Sequence, residues 1–266
     1  VGSELPTPST EPRVADDHVT LAVRDLSVLD ESGRPTLDRV NLDVQRGEIV
    51  GVAGVEGNGQ GELVEAILGL RQISGGRLLL DGEDIGRWPV RRRREAGIGY
   101  VPEDRQRRGL LLDAPLWENA MLGHQTMAPF ARGPFLDRSG ARSATTRIVE
   151  DFDVRTPGID TSARALSGGN QQKLVVGREM ASSPRLLVAA HPTRGIDVGA
   201  QAAVWEDLRA ARGEGLAVLL VSADLEELIG LADRLVVMLR GRVVAELDPA
   251  TTTPRILGGY MTGADE

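Results

Sequence analysis

The sequence predicts an α/β fold, with buried strands and helices at the centre, an antiparallel sheet at the side and an inserted helical lobe. Three observations predict it. Short apolar runs at residues 48–53, 185–190 and 217–221 suit strands buried on both faces. Alternation of apolar with polar or small residues at 19–23 and 40–44 suits half-buried antiparallel strands. Helical periods between about Leu112 and Ala165, broken by Pro129, Gly133, Pro134 and Pro157, suit a lobe of short helices.

The strand at 48–53 runs into a glycine-rich turn, Gly54 to Gly61, and then into a helix over 62–68 that ends near Gly69. Residues 77–81 and 97–101 add strands, and helix-forming sequence after Asn170 leads into the strand at 185–190. A helix is expected over 201–212, before the strand at 217–221. Residues 235–239 and 242–245 flank Arg240-Gly241 as the arms of a hairpin. No internal repeat is evident. The expected organisation is a linker or remnant at 1–18, one domain over 19–248 with its helical lobe at about 112–172, and a C-terminal tail at 249–266.

A chain of 266 residues with 41% hydrophobic and 26% charged content can bury a substantial core. Its formal net charge of −8 argues against a nucleic-acid partner held by a basic surface. The local run Arg91 to Arg94 reads as a solvated helix face. Cysteine is absent, which excludes disulfides and thiolate metal sites and fits a cytoplasmic setting. His18, His124 and His191 show no metal-ligand spacing, so no metal site is expected in this chain. No apolar run approaches the ~18 residues of a membrane span. The opening stretch, rich in Pro, Ser, Thr and acidic residues, suggests a linker to further chain upstream.

Chemistry concentrates in the glycine turn and in Leu166 to Lys173. The turn keeps the glycine spacing of GxxxxGK[ST], but Gln60 stands for the lysine and Gly61 for the hydroxyl residue. In a working phosphate loop, backbone N–H groups and the helix N-terminus hold the phosphates. The lysine neutralises their charge, and Ser or Thr ligates Mg²⁺. Gly54, Gly57, Gly59 and Gly61, with Asn58 in the same loop, could still shape a backbone cradle, but the charge chemistry is missing. Lys173 is the chain's single lysine, so no shifted alignment restores it. A glycine-rich strand–helix turn with no ligand explains this segment equally well.

The strand end Ala189-Ala190, followed by His191-Pro192-Thr193, resembles the hhhhDEPT end of the Walker B strand of ABC ATPases. Together with Val55 to Gln60, Tyr100 to Arg105, Leu166 to Lys173 and Pro192 to Gly199, it makes the chain resemble an ABC transporter nucleotide-binding domain from about Val19 to Leu247. More narrowly, it resembles the second, degenerate domain of ATP-binding subunits in sugar- and nucleoside-type importers. The VEGNGQ form and the Ala-Ala before His191 lean towards the nucleoside branch.

The resemblance implies an ABC-ATPase core of the P-loop type. Ala190 then occupies the metal-carboxylate position, His191 that of the catalytic glutamate, and Ala223 that of the switch histidine. Glu103 stands at the Q-loop position. The aromatic residue that stacks on adenine has no counterpart before Trp88. His191 could be a base near neutral pH, but Gly61 and Ala190 leave a metal without protein ligands.

The family's signature acts in trans. Ser167, Gly168, Gly169, Asn170 and Gln171 would meet the γ-phosphate of ATP, with Mg, on a sister domain. The alternative is a plain Ser-Gly-Gly helix cap. Asp197 matches a loop that crosses between domains, or serves as a turn aspartate. The implied partners are a sister ABC domain, membrane permease subunits and, indirectly, an extracytoplasmic solute-binding protein, at the cytoplasmic face of the plasma membrane. An ATPase active alone through unusual residues, and a soluble ABC-type interaction module, are the competing expectations.

Overall fold

The structure, a computed structural model, describes residues 17–264. All but two residues of the expected linker therefore lie outside the described residues. Strands β1 (Val19–Leu29) and β2 (Pro35–Gln45) pair antiparallel and run longer than their alternation predicted. Register shifts let β1 continue past Asp25 (φ +46°), whose backbone N–H is held by the Asn41 side chain at 3.0 Å. Such shifts break the two-residue period on which the sequence reading relied.

Strand β3 (Ile49–Ala53) leads into helix α1 (Gln60–Leu68), which ends on Gly69 at φ +78°. Strands β4 (Gly75–Leu80) and β5 (Glu83–Asp84) complete a side sheet of order β2-β1-β4-β5. Helix α2 (Val90–Glu95) precedes β6 (Ile98–Val101). The helical lobe holds α3 (Leu116–Ala120), a two-stranded hairpin of β7 (Ala131–Arg132) and β8 (Phe135–Leu136), and α4 (Arg138–Asp151). Helix α5 (Gly168–Met180) starts in the lobe and runs beyond its expected end at residue 172.

Strand β9 (Leu186–Ala190), α6 (Val198–Gly213), β10 (Ala217–Val221), α7 (Leu225–Leu231), β11 (Arg234–Leu239) and β12 (Arg242–Leu247) follow. The central sheet has the order β12-β11-β3-β10-β9-β6. All its pairings are parallel except the hairpin of β11 with β12.

Alternation along the central strands divides the core. Leu187, Ala189, Val218, Leu220, Leu235 and Val237 face the lobe and the later helices. Leu186, Val188, Leu219, Val221, Val236 and Met238 face α1 and the side sheet. Both faces are covered, which is why these strands read as unbroken apolar runs.

Two expectations are corrected. The segment after residue 248 is not a tail: α8 (Pro254–Thr262) docks on the core, with Leu257 fully buried and Met261 8% exposed. The arginine run is not a uniformly solvated face. Arg91 pairs with Glu95, and Arg92 lies 3.8 Å from the Trp88 ring centre, but Arg93 is only 2% exposed. Its Nη1 donates to Ala66 O (2.6 Å) and Ile67 O (2.7 Å), satisfying carbonyls at the C-terminus of α1. Arg94 reaches Glu179 on α5 at 2.8 Å. No helix among the described residues is long and apolar enough to cross a membrane.

Candidate functional site

The glycine turn between β3 and α1 is a built structure. Gly57 (φ +89°) and Gly59 (φ +105°) take left-handed conformations open mainly to glycine. A β-carbon on Gly59 would meet Leu37 Cδ2 at 2.9 Å and Gly241 Cα at 3.1 Å. Asn58 pins the turn to the β11–β12 hairpin: its Oδ1 accepts from Arg240 N (2.8 Å) and its carbonyl from Gly241 N (3.0 Å). Its Nδ2 donates to Val55 O at 2.9 Å. Gln60, 8% exposed, folds back over Gly54 and donates to Val55 O at 3.3 Å. At Gly61 there is open space: no heavy atom lies within 4 Å of a β-carbon built there.

Gly54, Gln60, Gly61, Ala190, His191 and Ala223 line one cleft of about 830 Å³. The fold therefore brings together the positions that the sequence resemblance assigns to the phosphate loop, metal carboxylate, catalytic glutamate and switch histidine. Ala190 ends β9, 6% exposed. His191 is left-handed (φ +47°), and its N–H donates to Val221 O at 2.7 Å, bending the chain out of the sheet. Its Nδ1 accepts from Ala223 N at 3.3 Å. The neutral ring then carries its proton on Nε2, where it is a donor and not a base. Burial pushes the His191 pKa below its usual value and Arg194 pushes the same way; Glu103 and Glu56 oppose them.

Carboxylates outnumber the cations in the rest of the lining. Glu56, Glu62, Glu65, Glu103 and Asp224 face the cleft beside Arg108 and Arg194. Glu103 lies 3.9 Å from Arg194, and Asp224 caps α7 through Glu226 N at 2.9 Å and Glu227 N at 3.2 Å. A triphosphate there would meet carboxylates, the Arg108 and Arg194 guanidiniums, a neutral amide and a neutral imidazole, and no lysine.

No residue from Leu166 to Lys173 lines the cleft, although Gly168 lies beside Gly195, which does. Ser167 is exposed and N-caps α5: its Oγ accepts from Asn170 Nδ2 at 2.9 Å and, more loosely, from Asn170 N at 3.4 Å. Leu166 is buried at the lobe, as expected. Gly168 and Gly169 give α5 a start without side chains; a β-carbon on Gly169 would meet Ala200 Cβ at 2.8 Å, so this glycine also lets α5 approach α6.

Gln171, grouped with them on the sequence, packs inward. It is 3% exposed, donates to Ala163 O at 3.0 Å and accepts from Gln106 Nε2 at 3.1 Å, which fixes it inside the lobe. Asp197 is exposed at the start of α6, where its Oδ1 accepts from Ala200 N at 3.0 Å.

Sequence reasoning missed the residues that join these parts. Glu179, fully buried on α5, accepts from Arg178 Nε (2.8 Å), Arg94 Nη2 (2.8 Å) and Tyr100 N (3.1 Å). Arg178 Nη1 donates to Gly109 O at 2.7 Å, and Arg105 reaches two carbonyls after β9. A carboxylate and arginines on the inner side of a lobe that otherwise reads as apolar were the available signal.

Comparisons with known proteins agree with this architecture. Residues 37–194 match the family described as ABC transporter. Over 258 residues the chain is 43% identical to the guanosine import ATP-binding protein NupO of Bacillus subtilis, covering 97% of this chain and 51% of that protein. It is 42% identical over 247 residues to the nucleoside import ATP-binding protein NupA of Lactococcus lactis, covering 93% and 49%. It is 42% identical over 214 residues to the ribose import ATP-binding protein RbsA 1 of Streptomyces avermitilis, covering 80% and 41%. The chain thus spans about half the length of the curated relatives it matches. A nucleotide-free ATP-binding cassette from an ABC transporter superposes with a TM-score of 0.77 at 20% identity, covering 91% of this chain and 98% of that one. At that identity the likeness is one of fold.

Proposed function

The chain belongs to the ABC transporter family, and on that premise we propose that it is the degenerate cassette of a sugar- or nucleoside-type importer. It supplies its signature helix to ATP held by a sister cassette and carries out no hydrolysis in its own cleft. The observation that carries this reading is the separation within one chain. Ser167 sits exposed at the N-terminus of a 13-residue helix, outside the cleft where Gln60, Gly61, Ala190 and His191 meet.

The chemistry supports the division. The first turn of α5 has backbone N–H groups without intrahelical partners and the positive end of the helix dipole, both suited to a phosphate oxygen. Gly168 and Gly169 remove the side chains that would hold a ligand away. ATP and Mg belong, on this reading, to the sister's site, and this chain contributes Ser167 and the α5 amides. The import relatives extend the proposal to membrane permease subunits, an extracytoplasmic solute-binding protein and attachment at the cytoplasmic membrane face. An ATPase active alone is disfavoured, because the bond from Ala223 leaves His191 no free lone pair facing the cleft.

The test uses the full-length subunit assembled with its permease. Ser167→Glu puts negative charge where the γ-phosphate would sit, and ATPase activity should fall to background. Gln60→Ala and His191→Ala should keep most of the activity, with melting temperatures confirming that each variant folds. The reverse order, with Ser167 tolerant and His191 essential, would place the chemistry in this chain.

A further inference from the structure

Between β6 and the lobe the chain makes one wide helical turn, Arg105–Gly109, capped by Asp104, whose Oδ1 accepts from Gln106 N (3.1 Å) and Arg107 N (3.0 Å). This turn is bolted to the signature helix along its length. Gln106 Nε2 donates to Gln171 Oε1 at 3.1 Å, and Gly109 O accepts from Arg178 Nη1 at 2.7 Å. At its near end, Arg105 Nη1 donates to Arg194 O (2.8 Å) and Nη2 to Gly195 O (3.0 Å), across the segment that follows β9. The same guanidinium lies against the first residue of α5: a β-carbon on Gly168 would stand 2.7 Å from Arg105 Nη2.

We propose that Arg105 is a positioning residue that fixes the start of the signature helix to the turn after β9, so that Ser167 and Asp197 are presented as one unit. Its fork grips two successive carbonyls, Arg194 O and Gly195 O, while its face fills the space over Gly168. Its Nε is buried without a partner among the described residues, a cost accepted where the two Nη bonds and the packing hold the group in place. Gly168 therefore has a role within its own chain, besides any role toward nucleotide: it leaves room for the guanidinium.

The consequence for ATP rests on the trans reading above, but the clamp itself is a property of this chain and is testable without ATP or a sister. Hydrogen exchange read by mass spectrometry on the 266-residue chain compares Arg105→Ala, Arg105→Lys and Arg107→Ala. Arg107, with its side chain 88% exposed, serves as the control. In Arg105→Ala, exchange over residues 166–171 and 194–198 should accelerate about tenfold or more, with α1 and β10 unchanged. Arg105→Lys should restore part of the protection, because one ammonium can reach one of the two carbonyls. Arg107→Ala should match the parent chain.

Gly168→Ala supplies an independent arm by pushing the guanidinium aside. It should loosen residues 194–198 when Arg105 is present and add nothing to Arg105→Ala. Unchanged protection in Arg105→Ala, or the same effect of Gly168→Ala in both backgrounds, overturns the proposal. Should Arg105→Ala fail to fold, Arg105→Lys and Gly168→Ala still decide it. A clamp that passes these tests, in a subunit whose ATPase ignores Ser167→Glu, would leave the clamp standing and remove the trans role.

Discussion

The side-chain amide of Gln60 lies over Gly54, in the space a β-carbon there would need, and donates to Val55 O at 3.3 Å. The turn thus fills its own cradle with a neutral group. Asn58 and the left-handed glycines 57 and 59 hold its shape through contacts with the rest of the fold. The bonds that fix the shape of the turn are made to protein.

That relationship yields a gain-of-binding prediction. Gly61→Ser fits without displacement, since a β-carbon at Gly61 meets nothing within 4 Å, and Gln60→Lys exchanges the plug for a charge. The parent chain should bind Mg-ATP no more tightly than about millimolar, for want of charge-assisted contacts worth ~1.5–3 kcal/mol each. The double variant should bind about tenfold tighter or better, with its melting temperature held within about 2 °C. Calorimetric titration of both chains decides it; low-micromolar binding by the parent would contradict it.

Acid should weaken the lobe through Glu179. Burial pushes this carboxyl up, but Arg178, His124 and Arg94 outweigh it and hold the pKa at about 2, below the usual 4.5. A depressed folded pKa gives stability that is fully present above pH 4.5 and lost as the pH falls towards 2. The effect is about 3 kcal/mol across that window. Glu179→Gln should cost about 3–5 kcal/mol near neutral pH, by leaving Arg94 and Arg178 without their carboxylate. It should also flatten the acid limb of stability measured by urea unfolding at pH 2.5 to 6.

Asp207 on α6 should act with the opposite sign. Burial pushes its pKa up to about 6 from 3.8; Lys173 pulls it down and Glu206 raises it. A carboxyl raised by the fold contributes stability below about pH 4, lost as the pH rises through 6. Because the side chain is only partly buried, the effect should be about 1–2 kcal/mol. Asp207→Asn should therefore raise the melting temperature at pH 7.5 and change it little at pH 4.5. A variant equally destabilised at both values would show that the carboxylate is well paired in the fold.

Sequence alone determined most of the frame. The apolar runs at 48–53, 185–190 and 217–221 became β3, β9 and β10 because strands covered on both faces have no polar side to show. The departures at Gln60, Gly61 and Ala190 were equally legible, since the resemblance assigns a lysine, a hydroxyl residue and a carboxylate to those positions and residue types are read without geometry. What escaped the sequence lies where side chains act across long separations. Arg93 satisfies α1 carbonyls 26 and 27 residues away, Glu179 reaches Arg94 85 residues away, and Arg105 grips Arg194 89 residues away. Local periodicity carries no record of such pairings, so the run Arg91 to Arg94, with Arg93 and Arg94 in it, read as a solvated face.

Tertiary structure alone decided how the functional parts are arranged. It gathered Gln60, Ala190, His191 and Ala223 into one cleft, set the His191 proton on Nε2 through Ala223 N, and turned Gln171 inward while leaving Ser167 outside. The physical reason is the parallel sheet. Its strand ends converge the loops after β3, β9 and β10 at one edge, whereas α5 starts in the lobe and its N-terminus is tied to the segment after β9 through Arg105.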